Sequence, residues 1–435
     1  MTARRCVCLV TQTHVSLNPR LVKEADALTA AGHDVRVVAL DLVDEHGVRD
    51  RDLMRGRAWR LESIRVPRRE GRAPIAYHQI AARQKVARAL FDAGLHVDAI
   101  ASRALSRYLG PLARAAARER ADILVAHNLP ALPAAARAAH RVGARLALDL
   151  EDFHSGELPD DARYDRERAL VTAIERRYLP RCALLSASSE GIADEIAHRY
   201  GVRRPVVVLN TFPLGDREIE PPPPRERMGE GPSLYWYSQV IGPTRGIEQA
   251  VQALARVPFA AHLHLRGQID EGFAKTLQDL ATSLGVADRV HVLPYAPPDA
   301  LVALAAQHDV GLAMEQPDTL NRAICATNKL FTYLAAGLAI AATDTPGQRR
   351  ILGDAPGAGF LYPAGDVGAL AAGLHRLLSA PGALAAAKRG SAAAAGARFS
   401  WEHDAPTLVR HLTGGEAAVV PNGERAGTAD RVAAG

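Results

Sequence analysis

The chain has 435 residues, of which 48% are hydrophobic and 23% charged, and its net charge is +5. That length exceeds one compact core and calls for two domains of a soluble globular class. The uncharged run Leu330–Thr343 has 14 residues, short of the ~20 needed to span a bilayer, and only five apolar residues follow Arg4-Arg5, too few for a signal-peptide core. Four cysteines, at 6, 8, 182 and 325, form no Cys-x-x-Cys pair; neither a disulfide framework nor a zinc site is expected, and a reduced cytoplasmic compartment is.

In chain order, Cys6–Val10 reads as a buried strand. Asn18 then caps a helix that has Pro19 in its first turn, where the missing N–H costs nothing. Leu21, Ala25, Leu28 and Ala31 form the apolar stripe of that helix, and Gly32 ends it before a strand at Val35–Leu40. Further strands are expected at Ile123–Ala126, Leu146–Leu150, Leu184–Ala187 and Val206–Leu209, separated by helical patterns. Such alternation predicts a parallel sheet covered on both faces by helices.

Between Arg55 and Arg120 the chain holds fifteen Lys/Arg against five Asp/Glu. Clusters such as Arg65, Arg68, Arg69 and Arg72, then Arg83, Lys85 and Arg88, suit either anionic lipid at the inner face of a membrane, an acidic acceptor or a solvated helical face. Nucleic acid is not expected, because no binding motif or aromatic platform accompanies the charge.

Residues 213–232 carry Pro213 and Pro221 to Pro224 without apolar periodicity and read as a linker. It separates an N-terminal domain, residues 1–212, from a second, 233–398. Strands are expected there at Leu234–Tyr237, Ala261–Arg266, Val290–Leu293, Val310–Met314 and Ala339–Thr343. Helices are expected at Arg245–Val257, Phe273–Leu284, Asp299–Gln307 and Val367–Leu378. A closing helix is placed at 399–413 and a disordered tail at 414–435. The fold class is therefore α/β, with two Rossmann-like, doubly wound halves whose ligands sit beyond the carboxyl ends of the strands.

The segment Thr327-Asn-Lys-Leu-Phe-Thr-Tyr-Leu-Ala-Ala-Gly337 is the most informative stretch. Thr327 is expected to cap a short helix and Gly337 to close it. The helix start, with Lys329 beside it, is suited to a diphosphate; the alternative is an ordinary core helix. A dinucleotide is not expected, because the first loop, Thr11 to Arg20, contains no glycine and neither half opens with Gly-x-Gly-x-x-Gly.

Taken together these landmarks resemble the GT-B nucleotide-sugar glycosyltransferases, nearest to family 4 (group 1). The resemblance runs from about Val7 to Leu408. It rests on Asn18-Pro-Arg-Leu-Val-Lys-Glu-Ala-Asp-Ala-Leu28, Val125-Ala-His127-Asn128, Ala187 to Glu195, Tyr237-Ser-Gln-Val-Ile-Gly-Pro-Thr-Arg245-Gly246 and Leu265-Arg-Gly267 as well as the Thr327–Gly337 stretch. It implies two domains facing a cleft, a last helix that returns to the first domain near Trp401, and transfer of a sugar from a nucleoside diphosphate to a hydroxyl. The acceptor would be a glycan, a lipid-linked sugar or a small metabolite. Retention of configuration without a metal is the expected course, since two cations and a helix dipole can replace a divalent ion.

On that basis Arg245 and Lys329 are candidates to hold the phosphates, and His127 to contact donor or acceptor; each also has a plain structural reading. Gly267, Glu315, Thr327, Asn328, Leu330 and Thr332 are the candidate donor-side residues. His14, Asn18, Arg20, Asp149, Glu151 and Asp152 are candidates for the acceptor side, although strand-end acids often only cap the next helix. The family's glutamates, eight residues apart, would fall at Ile324 and Thr332, and Gln239 stands where an arginine is usual. Those departures leave open a sugar-nucleotide-binding protein without turnover, or a nucleotide-sugar epimerase.

Overall fold

The computed structural model describes residues 4–66, 75–215 and 226–414. Its first sheet contains β1 (Cys6–Val10), β2 (Asp34–Asp41), β3 (Arg60–Arg65), β4 (Ile123–His127), β5 (Arg145–Leu150), β6 (Leu184–Ala187) and β7 (Val206–Val207). The second contains β8 (Ser233–Ile241), β9 (His262–Ile269), β10 (Val290–Leu293), β11 (Val310–Ala313), β12 (Ala339–Thr343) and β13 (Gly359–Tyr362). The orders are β3-β2-β1-β4-β5-β6-β7 and β10-β9-β8-β11-β12-β13, and every pairing is parallel. Both halves are thus doubly wound, with a reversal of direction between β1 and β4 and again between β8 and β11.

Strand alternation builds a core on each face of each sheet. Val7 and Leu9 join one apolar cluster while Cys8 and Val10 join the opposite one. Leu234 and Trp236 likewise face away from Tyr235 and Tyr237. Two strands, β3 and β13, have no counterpart in the expectations from sequence. Both lie at sheet edges, and Arg60-Leu-Glu-Ser-Ile-Arg65 has no apolar run, because an edge strand buries little. The proline-rich run Pro221–Pro224, Arg68, Arg69, Arg72 and residues 415–435 lie outside the described residues.

The helix Trp401–Thr413 inserts Leu408 and Leu412 into the cluster that contains Val7 and Leu21 of the first domain. Lys23, on the helix Pro19–Ala30, fastens this seam. Its Nζ donates to Asn210 Oδ1 at 2.7 Å and to the carbonyl of Thr211. It also lies 5.3 and 5.0 Å from the ring centroids of Phe212 and Trp401. The loops beyond the carboxyl ends of the two sheets meet directly. Asn321 donates to Asp152 Oδ1 (2.9 Å) and accepts from the Phe153 amide (2.8 Å), while Ser189 Oγ donates to the Ile324 carbonyl (3.1 Å). Among the described residues no helix is long and apolar enough to cross a membrane.

Four histidines gather where the second sheet begins. His262 Nδ1 lies 2.9 Å from His291 Nε2, and Ser233 Oγ bonds both His264 Nδ1 (2.9 Å) and His308 Nδ1 (2.6 Å). Burial, the neighbouring imidazoles and, for His308, the cations Arg266, Arg227 and Lys388 push His264 down to about 4 and His308 down to about 3. The unfolded chain, with histidines near 6.5, therefore binds protons that the fold refuses, and stability falls as pH drops below that value. Thermal unfolding followed from pH 7 to about 4 should show a steep loss in the wild type and a shallower one in the His264→Gln, His308→Gln double variant. Parallel curves would remove these histidines as the cause.

Candidate functional site

In the second domain the reversal between β8 and β11 opens a crevice, the position at which open α/β sheets receive ligands. β8 feeds a tight turn in which Thr244 (φ 64°) and Gly246 (φ 74°) are both left-handed. Glycine is required at 246, since a Cβ there would lie 2.9 Å from Gln316 Nε2 and 3.1 Å from the Met314 carbonyl. That close approach sets Arg245 beside the end of β11 at the start of the helix Ile247–Arg256. Arg245 is half-buried and its side chain makes no ion pair or hydrogen bond among the described residues.

On the other side of the crevice Glu315 follows β11. Its Oε1 accepts from Lys329 Nζ at 2.6 Å and from Thr327 Oγ1 at 3.2 Å. Lys329 is 9% exposed and lies 5.5 Å from the Trp236 ring centroid. Burial raises the Glu315 pKa, but the Lys329 charge and the bonds from Lys329 and Thr327 outweigh it and hold the carboxyl below its ordinary range. The helix Asn328–Ala336 closes at Gly337 in the left-handed conformation (φ 68°), as its sequence predicts.

The expected cap by Thr327 is corrected. Its hydroxyl turns to Glu315, so no side chain caps the first turn of this helix; the Leu330 amide donates to the Thr327 carbonyl (3.1 Å), which leaves the amides of exposed Asn328 and of Lys329 without a cap. Two of the candidate donor residues face inward instead. Leu330 is a core residue, and Thr332 Oγ1 bonds the buried Tyr237 hydroxyl at 2.7 Å. Gly267 (φ 151°) lies where β9 passes an irregularity in β8, with room for no side chain: a Cβ would come 2.4 Å from the Ser238 carbonyl.

In the first domain the polar residues at the carboxyl ends of β4 and β5 bind one another. Arg20 sends Nε to Asp149 Oδ2 (2.6 Å), Nη2 to Asp149 Oδ1 (2.8 Å) and Nη1 to the Val208 carbonyl (2.8 Å). Ser186 Oγ adds a bond to Asp149 Oδ1 at 2.7 Å. Burial alone would raise Asp149, but the Arg20 guanidinium overrides it and holds the carboxyl down at about 2. His127 Nε2 lies 3.1 Å from Glu24 Oε2, and Nδ1 lies 3.6 Å from Asp149 Oδ2. Against the desolvation of its buried ring, the charges of Glu24 and Asp149 raise the His127 pKa. Ligand atoms of Glu24, His127 and Asp149 converge within 4.8 Å, as metal ligands do. Both Asp149 oxygens are already taken by the guanidinium, so Arg20 occupies the place a cation would fill and the set does not fit a metal.

The remaining acceptor-side candidates divide. Asn18 accepts from the Leu21 amide at 3.0 Å and caps its helix as expected. His14 Nε2 accepts from the amides of Leu42 (2.8 Å) and Val43 (3.0 Å), while Nδ1 lies 2.7 Å from Asp50 Oδ2. His14, Asn18 and Arg20 are 1, 5 and 2% exposed: they pin a loop, cap a helix and hold a strand end rather than line an open pocket. Asp50-Arg51-Asp52 is an Asp-x-Asp triplet. It lies within the helix Asp44–Leu53, and Asp50 is bound to His14 and to the Ser16 amide. Glu151 and Asp152 sit at the seam, raised by burial, with Asn210 and Asn321 as their respective amide donors.

Asn128, directly after His127, is the residue that sequence reasoning passed over. Its backbone is left-handed (φ 66°) and its buried Oδ1 has no partner. A strained asparagine at a strand end facing the reversal between β1 and β4 makes this turn a candidate for function; the sequence signals were its place after His127 and a residue type tolerant of positive φ. Asp149→Asn would take from the sealed Arg20 guanidinium the carboxylate it is bonded to, leaving Glu24 and Glu151 as more weakly acting acids. An unfolding free energy lower by about 3–5 kcal/mol is expected by chemical denaturation; a loss under about 1 kcal/mol would deny this pair its structural role.

Comparison with known proteins agrees with this arrangement. Residues 17–211 match the glycosyl transferase 4-like domain, and residues 231–380 match the glycosyl transferases group 1 domain. No curated protein sequence matches the chain significantly. Among solved structures, Anabaena HepE in complex with UDP-glucose superposes with a TM-score of 0.66 at 15% identity, covering 94% of this chain and 99% of that one. WaaG, a glycosyltransferase involved in lipopolysaccharide biosynthesis, gives 0.63 at 17% identity over 94% and 100%. Sucrose-phosphate synthase from Thermosynechococcus elongatus gives 0.62 at 14% identity over 93% and 97%. At such identities the structures speak for the GT-B fold, and the matched domains speak for the family: the chain belongs to the group 1, family-4-like glycosyltransferases.

Proposed function

We propose that this glycosyltransferase takes its sugar from a nucleoside diphosphate held at the β8/β11 crevice, and that fixed cations do the work of a divalent metal there. The observation that carries the reading is Arg245, a half-buried guanidinium without a protein partner among the described residues, placed across from a helix start that no side chain caps. A guanidinium fork matches phosphate oxygens, and helix-start amides favour the same anion. Anabaena HepE, solved with UDP-glucose, supports a nucleotide-sugar donor.

In the reaction the bond between the anomeric carbon and the phosphate oxygen breaks, and a bond from the acceptor hydroxyl oxygen to that carbon forms. The hydroxyl proton passes to the departing phosphate, whose growing charge Arg245, Lys329 and the amides after Asn328 stabilise. This front-face course retains configuration. Both hydrogen bonds to Glu315 use Oε1, which leaves Oε2 to accept from a ribose or sugar hydroxyl. On the acceptor side, Asn128, Glu151 and Asp152 surround the first-domain turn, and His127 orders it from beneath.

The acceptor hydroxyl belongs to a glycan, a lipid-linked sugar or a small metabolite. A lipid-linked acceptor is favoured by the helix Ile75–Asp92, whose exposed side mixes Val86 and Leu90 with Arg83 and Lys85, the composition of a surface that rests on anionic lipid.

Arg245→Ala should keep the wild-type melting temperature and lower kcat/KM for nucleoside diphosphate release at least about ten-fold, with Arg245→Lys intermediate. Lys329→Ala should lose as much activity, and a chelator should change nothing. Full activity in both alanine variants would refute the phosphate assignment. Cosedimentation with phosphatidylglycerol vesicles should fall several-fold in the Val86→Glu, Leu90→Glu variant; undiminished binding would place the membrane contact elsewhere.

A further inference from the structure

All strands of the first sheet run the same way, so their starting ends form an edge remote from the crevice. Along it Arg5, Arg120, Arg145, Arg181 and Arg203 stand at, or up to three residues before, the starts of β1, β4, β5, β6 and β7. These five strands are consecutive neighbours in the sheet. The arginines therefore stand side by side along this edge in the order of the strands. Arg5 is half-buried and the other four are exposed. Among the described residues none of their side chains has an ion pair or hydrogen bond; Arg181 only lies over the Tyr178 ring, 5.6 Å from its centroid. The opposite half of the edge differs: Arg60, opening β3, is bound to Glu119 at 2.9 Å.

Below the row the surface is recessed. A hollow of about 620 Å³ is lined by Arg137, Arg145 and Arg181, and it shares Arg145 with a smaller one beside Arg5 and Arg120. Through Ala183 it adjoins a third, of about 300 Å³, beside Arg203. The acids along this groove are engaged: Asp98 accepts from Ser102 and Tyr178, and Asp122 from the Cys6 amide. Complementing a helix C-terminus explains His140, in the last turn of Leu132–Val142, and applies to Arg181, in the last turn of Leu179–Arg181; Arg5, Arg120, Arg145 and Arg203 lie outside such last turns.

We infer that this groove is a second binding site, for an extended anionic glycan whose charge is carried by carboxylates or phosphates. Guanidinium forks match either anion. A string of adjoining hollows accepts a chain rather than a flat bilayer, and among the described residues no exposed large hydrophobic residue lines them. Single-stranded nucleic acid binds by stacking successive bases on aromatic rings, yet of the rings in the lining Tyr178 is only 2% exposed, and among the described residues His140 and His411 are the others. The preference for a glycan also rests on the sugar-transfer reading; the charge and shape of the groove do not.

The test is binding of fluorescently labelled oligogalacturonate and of a phosphodiester-bearing mannan to the full chain, with neutral dextran, polyglutamate, oligo(dT) and phosphatidylglycerol vesicles as competitors. Saturable, salt-sensitive binding of at least one charged glycan is expected, and the two arms tell which anion is preferred. Arg145→Glu and Arg181→Glu should each weaken it about ten-fold at low ionic strength, with unchanged melting temperature and unchanged nucleoside diphosphate release on a small acceptor. If a charge reversal fails to fold, Arg145→Gln and Arg181→Gln serve, with a smaller drop in the same direction. No charged-glycan binding, equal binding by the variants, or stronger competition by polyglutamate, DNA or vesicles than by either charged glycan would overturn the inference. Loss of release with glycan binding intact would instead count against sugar transfer alone.

Discussion

A guanidinium sealed inside the first domain organises what surrounds it. Arg20, joined by two bonds to Asp149 and by a third to the Val208 carbonyl, ties the first helix to the carboxyl ends of the central strands. On the same side of that helix, Lys23 holds the seam with the closing helix and Glu24 faces His127. Residues three and four positions apart share a helix face. One turn thus delivers three polar side chains to three places: the strand end, the seam and the turn that carries Asn128. The other face carries Leu21, Ala25 and Leu28 into the core, so the helix is buried nearly all round. Such a buried pair stays only when its remaining polar atoms are satisfied, and Ser186 and Val208 meet that condition here.

The second domain divides its labour differently. Its phosphate candidates are left incompletely satisfied: Arg245 has no protein partner among the described residues, and the helix start beyond Thr327 lacks a side-chain cap. An unsatisfied donor beside a crevice is costly unless a ligand completes it. The positions where the family's glutamates were expected do other work. The Ile324 carbonyl receives Ser189, and Gly191 leaves room for it across the domain boundary; Thr332 fills the core against Tyr237. Glu315, coming from the neighbouring strand end, is the carboxylate that reaches the crevice, and its pairing with Lys329 holds it ionised.

The folding pattern was largely legible in the residues. Leu184–Ala187, Val290–Leu293 and Ala339–Thr343 are strands at the positions their apolar runs indicate, and the Asn18-Pro19 start and Gly337 stop behave as their chemistry requires. The edge strand β3 was not legible, because Arg60-Leu-Glu-Ser-Ile-Arg65 carries no apolar run, and β13 was not, because Gly359-Phe-Leu-Tyr362 is only four residues long. The site was legible in part. Arg245 at a strand–helix turn and Lys329 at a helix start were legible as candidates and stay candidates beside the crevice, whereas the side chains of Thr332 and Leu330 pack into the core.

What the sequence determined by itself was therefore local: the period of each element, its caps, the strand–helix alternation that demands two doubly wound sheets, and the family to which the motifs belong. What only the tertiary structure decided was which polar side chains are already taken. Arg20 meets Asp149 across 129 positions, and Asn321 meets Asp152 across 169. A cap or a periodicity is settled by neighbours within a turn or two, and is written in the residues that form it. Whether a buried charge faces a ligand or a partner depends on what the fold brings against it from the far end of the chain.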